Sequence, residues 1–314
     1  MEKLLPKAKQ TEFHWLKLAK KRQLTKTIFF LEFEIPQSLQ VHFQFEAGQY
    51  VTLKYLSMGQ WNQNDFSMTS APYEGKITLG IKINYEKSSA KDLFENLKVG
   101  DLLEVSEPKG RFTLVSKPHE FRTIIGFAGG IGITPLLSHF KNILRNEPRT
   151  RLFLFYGNKT KEDIAFKNEL DELMNSHSDR LKIYYFYSQE KIGNGLFEGR
   201  LNEKKVALII NQILLLDDTD EESTIWDAVD EVLICGKGEM IKSIANACFN
   251  HGIRKKNIHF ELFEEFNEDI YPVEQELPLI ENIEVDFQLY GNKYSVHLKN
   301  NKIMKTINEL LTES

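Results

Sequence analysis

The first third of the chain alternates short apolar or aromatic runs with turn signals. Residues 13–22 and 27–35 are rich in β-branched and aromatic side chains, which favour strands. Similar runs follow at residues 50–55, 66–70, 76–84 and 102–105. Dipeptides such as Ala47-Gly48 and Ala71-Pro72 predict turns between them. The pattern predicts a small six-stranded antiparallel β-barrel, interrupted by one helix at about residues 89–97.

Beyond Pro118 the pattern of apolar positions changes: nearly continuous apolar runs alternate with segments of helical periodicity. The apolar runs cover residues 123–128, 152–156, 182–187, 232–235 and 258–263. Such runs are typical of strands that are covered on both faces. Apolar residues within 136–144 and 241–248 recur at helical spacing. This alternation predicts an α/β unit with a five-stranded parallel sheet and right-handed crossovers.

A third piece begins near Tyr271-Pro272. Residues 272–278 have the composition of a linker, and the next two runs, 283–290 and 293–298, predict a β-hairpin around Gly291-Asn292. Residues 303–311 predict the start of a helix. We therefore expect three parts, at residues 1–118, 119–270 and 271–314, of which the third is too short to form a core alone.

Composition narrows the classes of function. Hydrophobic residues make up 41% of the chain and charged residues 27%, with a net charge of -5, so the basic excess of nucleic-acid-binding proteins is missing. No run approaches the ~18 apolar residues of a membrane span, and the N-terminus lacks the apolar run of a signal peptide. Cys235 and Cys248, the two cysteines, are too few for a four-cysteine cluster or zinc site. We expect a cytoplasmic protein with no metal site.

The strongest local motif is GGIGITP at residues 129–135, which follows an apolar run and opens a helix. Small residues let backbone N–H groups approach a pyrophosphate, and a helix N-terminus favours its negative charge. A glycine-rich turn selected for close packing is the alternative. The next strand ends in Tyr156-Gly157-Asn158-Lys159 and not in an acidic residue, which argues against an ordinary Rossmann pocket.

Several short motifs resemble those of the ferredoxin–NADP reductase superfamily, in the same order over residues ~10–266. They are AGQYV at 47–51, DFSMTS at 65–70, PKGRF at 108–112, the glycine turn, YGN at 156–158, CG at 235–236 and FELF at 260–263. SQE at 188–190 and GR at 199–200 are most similar to the reductase components of phenylacetyl-CoA and phenol-type oxygenases. The resemblance implies an FAD enzyme that takes a hydride from NADPH. Such an enzyme passes electrons singly to a small redox protein: a flavodoxin, a ferredoxin or an oxygenase component.

The resemblance places the flavin on the barrel. The family's Arg-x-Tyr-Ser signature corresponds to residues 64–67, so Ser67 is implied to hydrogen-bond the reactive edge of the isoalloxazine and Phe66 to stack on the flavin. From the residues alone, a turn hydroxyl and a barrel core residue remain open. Asn64 replaces the arginine that pairs with the flavin pyrophosphate, and an amide supplies no charge.

The family's glycine-rich loop before the barrel helix is also altered, to YEKSSA at residues 85–90. Ser88 and Ser89, with the N-terminus of that helix, are the expected phosphate contacts. Lys82 is a candidate for the missing positive charge, and an exposed strand lysine is the alternative. We therefore expect weak FAD affinity.

On the nicotinamide side, the resemblance implies that Gly130, Gly132 and Thr134 face the pyrophosphate and carboxamide of NADP. Ser188 matches the contact to the adenosine 2′-phosphate. Further candidate charges for that phosphate are Arg200, Lys159 and Lys161. Solvated surface lysines are the alternative for the last two.

The remaining matches concern the reacting edge. Cys235 stands where the family places a thiol near the nicotinamide, although a buried small hydrophobe is the alternative. Glu261 and Phe263 match the final strand near the flavin. Ser67, Cys235 and Glu261 are therefore the candidate catalytic residues.

Residues 285–298 and 305–311 resemble the opening of a plant-type 2Fe-2S ferredoxin domain, but no cluster cysteines follow before Ser314. We expect a truncated ferredoxin-like piece without a cluster. Two alternatives to the reductase stay open: a nucleotide-binding or redox-sensing module that keeps the fold with weak flavin binding, and a reductase that releases free reduced flavin.

Overall fold

The computed structural model describes residues 12–83, 88–213, 229–271, 283–289 and 292–298. It forms two compact units, Met1–Ile270 and Tyr271–Ser314. The predicted linker at 272–278 and helix at 303–311 lie outside the described residues. No helix among the described residues is long and apolar enough to cross a bilayer.

The first sheet is antiparallel and six-stranded, as predicted. Its strands are β1 (Phe13–Gln23), β2 (Ile28–Glu34), β3 (Tyr50–Ser57), β4 (Gln60–Ser67), β5 (Lys76–Lys82) and β6 (Leu102–Ser106). They are ordered β4-β3-β6-β1-β2-β5, and a bridge between Met68 and Leu79 brings the two edges together. The sheet therefore curls into a half-barrel around alternate apolar side chains, among them Val51 and Leu53.

Strand β4 begins six residues earlier than the predicted run at 66–70. Its first half is polar and exposed, because β4 is an edge strand and offers little surface to the core. Met58 and Gly59 join it to β3 with φ angles of 51° and 75°. Positive φ at both central residues is typical of a type I′ hairpin turn, which sets this register.

Helix α1 (Ser89–Asn96) follows β5 and packs Leu93 onto the barrel core. Ser88 is its N-cap, and its hydroxyl accepts a hydrogen bond from the Lys91 N–H. The helix predicted at 89–97 is thus confirmed, with Ser88 and Ser89 at its first turn.

The second sheet is parallel and five-stranded, also as predicted. Its strands are β7 (Arg122–Gly129), β8 (Thr150–Asn158), β9 (Leu181–Tyr187), β10 (Glu231–Gly236) and β11 (Ile258–Leu262). Described helices between them are α2 (Ile133–Asn146), α3 (Lys167–Ser176), α4 (Glu203–Ile213) and α5 (Gly238–Asn250). The order is β11-β10-β7-β8-β9, so the chain reverses direction of winding between β7 and β10. Ligands of such sheets bind outside the carboxyl ends of the strands at this switch point.

Helix α2 joins the two sheets through buried polar side chains. Ser138 donates to the Ser70 carbonyl at 2.6 Å, and Lys141 donates to the Thr69 carbonyl at 3.0 Å. His139 Nε2 lies 2.8 Å from the Phe112 carbonyl and is the donor, since a carbonyl only accepts. Burial lowers the pKa of His139 to about 4, so its imidazole is neutral. These bonds fix the barrel against the parallel sheet.

In the second unit, β12 (Ile283–Leu289) and β13 (Asn292–Leu298) pair antiparallel. This confirms the hairpin predicted for residues 283–298.

Candidate functional site at the sheet switch point

The glycine turn lies at the switch point, where β7 ends beside β10. A Cβ on Gly132 would lie 2.2 Å from the carbonyl oxygen of Cys235, so only glycine permits this close approach. The Tyr156 hydroxyl donates to the Gly130 carbonyl at 2.9 Å and holds the turn from the β8 side. The turn has the form of an anion cradle, with small residues leading into the N-terminus of α2.

A side-chain hydrogen bond links the barrel to this edge of the parallel sheet. Ser67, the last residue of β4, donates from Oγ to Glu261 Oε2 at 3.2 Å. Glu261 pairs in register with Cys235 across β10 and β11. The structure therefore brings together Ser67, Cys235 and Glu261, which are distant in sequence.

Burial sets the protonation of this group. It raises the pKa of Glu261 to about 7; the hydrogen bond from Ser67 opposes the shift and the charge of Asp65 adds to it. Burial, with the nearby Glu261 charge, raises the pKa of the Cys235 thiol well above its usual range. Cys235 is thus a neutral thiol at pH 7, whereas Glu261 exchanges its proton close to that pH.

Tyr50 is a site residue to which the sequence analysis assigned no role. It lies opposite Ser67 in the β3–β4 ladder. Burial raises the pKa of its phenol, and the charges of Asp65 and Glu261 add to the shift. The available signal was its place in the motif at 47–51, but only the strand pairing shows that it borders Glu261.

A second polar group lies where β3, β4 and α1 meet. The Tyr55 hydroxyl donates to Asn64 Oδ1 at 2.8 Å and lies 3.2 Å from Ser89 Oγ. Asn64 is exposed, and Ser88 and Ser89 open α1. An amide, two hydroxyls and a helix N-terminus suit a phosphate by hydrogen bonding, without a cation in this group.

Phe66 follows the alternation of β4. Side chains two residues apart share a face of a strand, so Phe66 and Asn64 are on the same face. Phe66 is half-buried and packs against the barrel core. Part of its surface therefore serves the packing of the barrel, and stacking on a flavin stays a prediction.

Lys82 belongs to a group of cations that spans both sheets. Burial lowers the pKa of Lys82, and the like charges of Lys159 and Lys237 lower it further. The charges of Glu264 and Asp163 oppose the shift. Lys159 and Lys237 come directly after β8 and β10. Lys82 thus faces the carboxyl edge of the parallel sheet, a grouping that the sequence analysis missed.

Thr134 is buried under the barrel. Its hydroxyl donates to the Ile131 carbonyl at 3.0 Å, and its methyl would lie 2.9 Å from a Cβ on Gly80 of β5. Gly80 therefore allows the barrel to reach the glycine turn, and Thr134 closes that turn.

The candidates for a 2′-phosphate gather at the ends of β8 and β9. The Ser188 N–H donates to the Asn158 carbonyl at 2.9 Å, and the Gly199 N–H donates to the Tyr187 carbonyl at 2.8 Å. Arg200 is exposed beside Gly199. Lys161 is partly neutralised, since its Nζ lies 3.3 Å from Glu190 Oε1.

Phe263 lies just beyond β11 and two residues from Glu261, with 41% of its surface exposed. An aromatic side chain of that exposure beside the partly buried Glu261 provides a flat apolar surface at the same edge.

Comparison with known proteins agrees with this arrangement. Residues 15–114 match the family model of the oxidoreductase FAD-binding domain, and residues 127–246 match that of the oxidoreductase NAD-binding domain. A component of the 1,2-phenylacetyl-CoA epoxidase of Escherichia coli is 29% identical over 257 residues, covering 81% of this chain and 68% of that protein. NADH-cytochrome b5 reductase 1 from Dictyostelium discoideum is 32% identical over 215 residues, covering 67% of this chain and 68% of that protein.

Solved structures show the same fold. A ferredoxin NADP+ reductase from Neisseria gonorrhoeae with bound FAD and NADP superposes with a TM-score of 0.64 at 18% identity, over 80% of this chain and 99% of that one. A flavohemoglobin from Malassezia yamatoensis, with bound FAD and heme, gives 0.62 at 22% identity over 80% of this chain and 60% of that one. The chain thus matches both cofactor-binding domains in order, shares the two-sheet fold and is 32% identical to a named reductase. It belongs to the ferredoxin–NADP reductase family of FAD- and NAD(P)-binding oxidoreductases.

Proposed function

We propose that this protein is an NADPH-dependent reductase that passes electrons through FAD to a small one-electron redox protein. The observation that supports it is the Ser67–Glu261 hydrogen bond, which holds the end of barrel strand β4 against the carboxyl edge of the parallel sheet. A flavin on the barrel and a nicotinamide at the glycine turn would therefore share one edge. Close approach of the two reacting groups is what hydride transfer requires.

FAD, when bound, supplies the conversion of a two-electron hydride into single electrons. The protein's own residues orient the bound cofactors and exclude water from them. Ser67 offers a hydroxyl at the edge of the site, and Cys235 offers a buried neutral thiol that packs without reacting. Glu261, whose pKa is raised to about 7, can hold a proton beside Ser67. These are roles in positioning, since hydride transfer needs no acid–base pair.

NADPH is proposed over NADH because Ser188 directly follows β9 and the exposed Arg200 follows Gly199, whose N–H donates to the Tyr187 carbonyl at the end of the same strand. A guanidinium pairs bidentately with a phosphate. We expect Arg200→Ala to lower kcat/KM for NADPH about tenfold or more and to leave that for NADH nearly unchanged, as charge-assisted hydrogen bonds contribute about 1.5–3 kcal/mol. Lys182→Ala, near the opposite end of β9, is the matched control. Equal losses with both nucleotides would contradict the assignment.

The proposed acceptor is a flavodoxin, a ferredoxin or an oxygenase component. Relatives named as a cytochrome b5 reductase and as part of an epoxidase support an acceptor of the redox-protein class. Each purified candidate acceptor is mixed with the NADPH-reduced protein, and its reduction is followed by the acceptor's own absorbance. The rate of that reduction identifies the partner.

Stopped-flow spectroscopy tests the proposal. FAD-loaded protein mixed with NADPH should lose its visible flavin band in a single turnover. Flavin-loaded protein that neither NADPH nor NADH reduces would overturn the proposal and leave a nucleotide-binding or sensing module.

The exposed amide at Asn64 favours one second candidate, a reductase of free flavin, because a phosphate site without a cation holds FAD less tightly. Steady-state turnover with added FMN or riboflavin separates the two. Rates that saturate with free flavin and do not respond to any protein acceptor would select the second candidate.

A further inference from the structure

A cluster of metal-ligating side chains lies on the barrel. It consists of Glu12, His14, His42 and Glu107, whose ligand atoms all lie within 4.8 Å of one another. His14 is near the start of β1, Glu107 directly follows β6, and His42 belongs to the connection between β2 and β3. Three separate segments therefore converge on one point of the barrel.

Backbone pairing fixes two of the four residues. The Glu107 N–H donates to the Glu12 carbonyl at 3.1 Å, which continues the ladder between β1 and β6. The rings of His14 and His42 lie 4.7 Å apart between centroids, and Phe43 packs edge-on against His14 at 5.7 Å. The imidazoles are thus held in place by packing and by strand register.

The distances suit a single cation between these groups. His42 Nδ1 lies 2.6 Å from Glu107 Oε1, and His14 Nε2 lies 3.7 Å from the same oxygen. Ligands of a tetrahedral zinc ion, with bonds of about 2.0–2.2 Å, are separated by about 3.3 Å. The observed separations lie on both sides of that value, so small side-chain rotations complete the geometry.

The His14 ring nitrogen gives independent support for a cation site. Its Nε2 is buried and has no hydrogen-bond partner in the described part of the chain. Buried polar atoms are nearly always satisfied, and an unsatisfied one destabilises the fold. A cation at the centre of the cluster would satisfy this nitrogen.

We propose that Glu12, His14, His42 and Glu107 form a binding site for a zinc-class divalent cation. Two imidazole nitrogens favour borderline transition metals over Mg²⁺ or Ca²⁺, which prefer all-oxygen sites. Two carboxylates balance the charge of the cation and complete four-coordination. The site is structural: it joins the start of β1 to the end of β6 and to a loop 65 residues from Glu107.

Zinc titration of the full chain, freed of metal by a chelator, tests this site. Isothermal titration calorimetry should show one Zn²⁺ bound per chain, with no comparable binding of Mg²⁺. A free Zn²⁺ concentration about a hundredfold above Kd should raise Tm by roughly 5 °C or more, since ligand that binds only the folded state stabilises it. The readout uses neither flavin nor nucleotide, so it is independent of the proposed reductase activity.

Variants locate the site. His42→Ala and Glu12→Gln change exposed residues and should weaken Zn²⁺ binding at least tenfold and remove the shift in Tm. His119→Ala, another exposed histidine, is the matched control and should bind as the unaltered protein does. Failure of the unaltered chain to bind Zn²⁺ would overturn the proposal, and so would undiminished binding in both His42→Ala and Glu12→Gln. A proton shared between imidazole and carboxylate would then explain the cluster.

Discussion

Replacing Glu261 with glutamine tests the electrostatics of the candidate site. Glu261 is held beside Ser67 and near Asp65, and burial raises its pKa from 4.5 to about 7. Glutamine keeps the shape and an acceptor for the Ser67 hydroxyl but has no proton to lose. The variant thus removes one ionisation with little change in packing.

The sign follows from proton linkage. Below pH 4.5 Glu261 is protonated in both the folded and the unfolded chain. Between pH 4.5 and 7 the unfolded chain releases the proton while the folded chain keeps it, so the free energy of unfolding falls as pH rises. Each unit of pKa difference corresponds to about 1.36 kcal/mol, which puts an upper bound of about 3 kcal/mol on the effect. Glu261 is only partly buried, and solvent screening lowers the expected change to about 1–2 kcal/mol.

Urea unfolding of flavin-free protein between about pH 4.5 and 8 measures the effect. The free energy of unfolding of the unaltered protein, minus that of Glu261→Gln, should fall by about 1–2 kcal/mol over this range. Glu264→Gln, an exposed neighbour, controls for the general loss of a negative charge. A difference that stays flat across the whole pH range would refute the reasoning and place the Glu261 carboxyl in contact with bulk water.

Three further substitutions test the two candidate phosphate-binding sites and the interface between the two sheets. Asn64→Arg should tighten FAD binding about tenfold in equilibrium dialysis, because a charged donor replaces an amide, whereas Gln63→Arg on the other face of β4 should not. Gly132→Ala would place a Cβ 2.2 Å from a backbone carbonyl, so we expect a loss of about 1–3 kcal/mol in urea unfolding and weaker nucleotide binding; Gly195→Ala, with open space around it, is the control. Lys141→Met removes a buried cation, and we expect unfolding to become easier by about 2 kcal/mol, with little dependence on salt. Unchanged FAD affinity, unchanged nucleotide binding or unchanged stability, respectively, would contradict each expectation.

The two sheets were predictable because their strands differ in exposure. Strands β7 and β10 are buried on both faces and appear as continuous apolar runs, while the barrel strands mix apolar and polar positions. The first half of β4 was not predicted, because it is exposed at the sheet edge and lacks the alternating apolar residues that indicate a strand. Only its pairing with β3 and the Met58-Gly59 turn define it.

The site was predictable as a set of motifs and not as a geometry. Ser67, Cys235 and Glu261 belong to separate sequence motifs, and the parallel register of β10 and β11 aligns the last two. The grouping of Lys82 with Lys159 is of another kind, because it joins an edge strand of the barrel to the end of a strand in the other sheet. No periodicity along the sequence predicts this grouping of charges, because it depends on how the two sheets are docked.

Helix α2 holds the two sheets together through buried polar side chains. Hydrophobic periodicity does not predict that these polar side chains are buried. The helix begins at the glycine turn and, within about two turns, bonds to barrel carbonyls through Ser138 and Lys141. Lys141 also pairs with Glu74 of the barrel side at 3.1 Å and with Glu169 of α3 at 2.5 Å. Carbonyls and carboxylates accept these bonds only in one orientation of the barrel, which is more specific than apolar contact. The same helix therefore positions the glycine turn and holds the barrel so that Ser67 reaches Glu261.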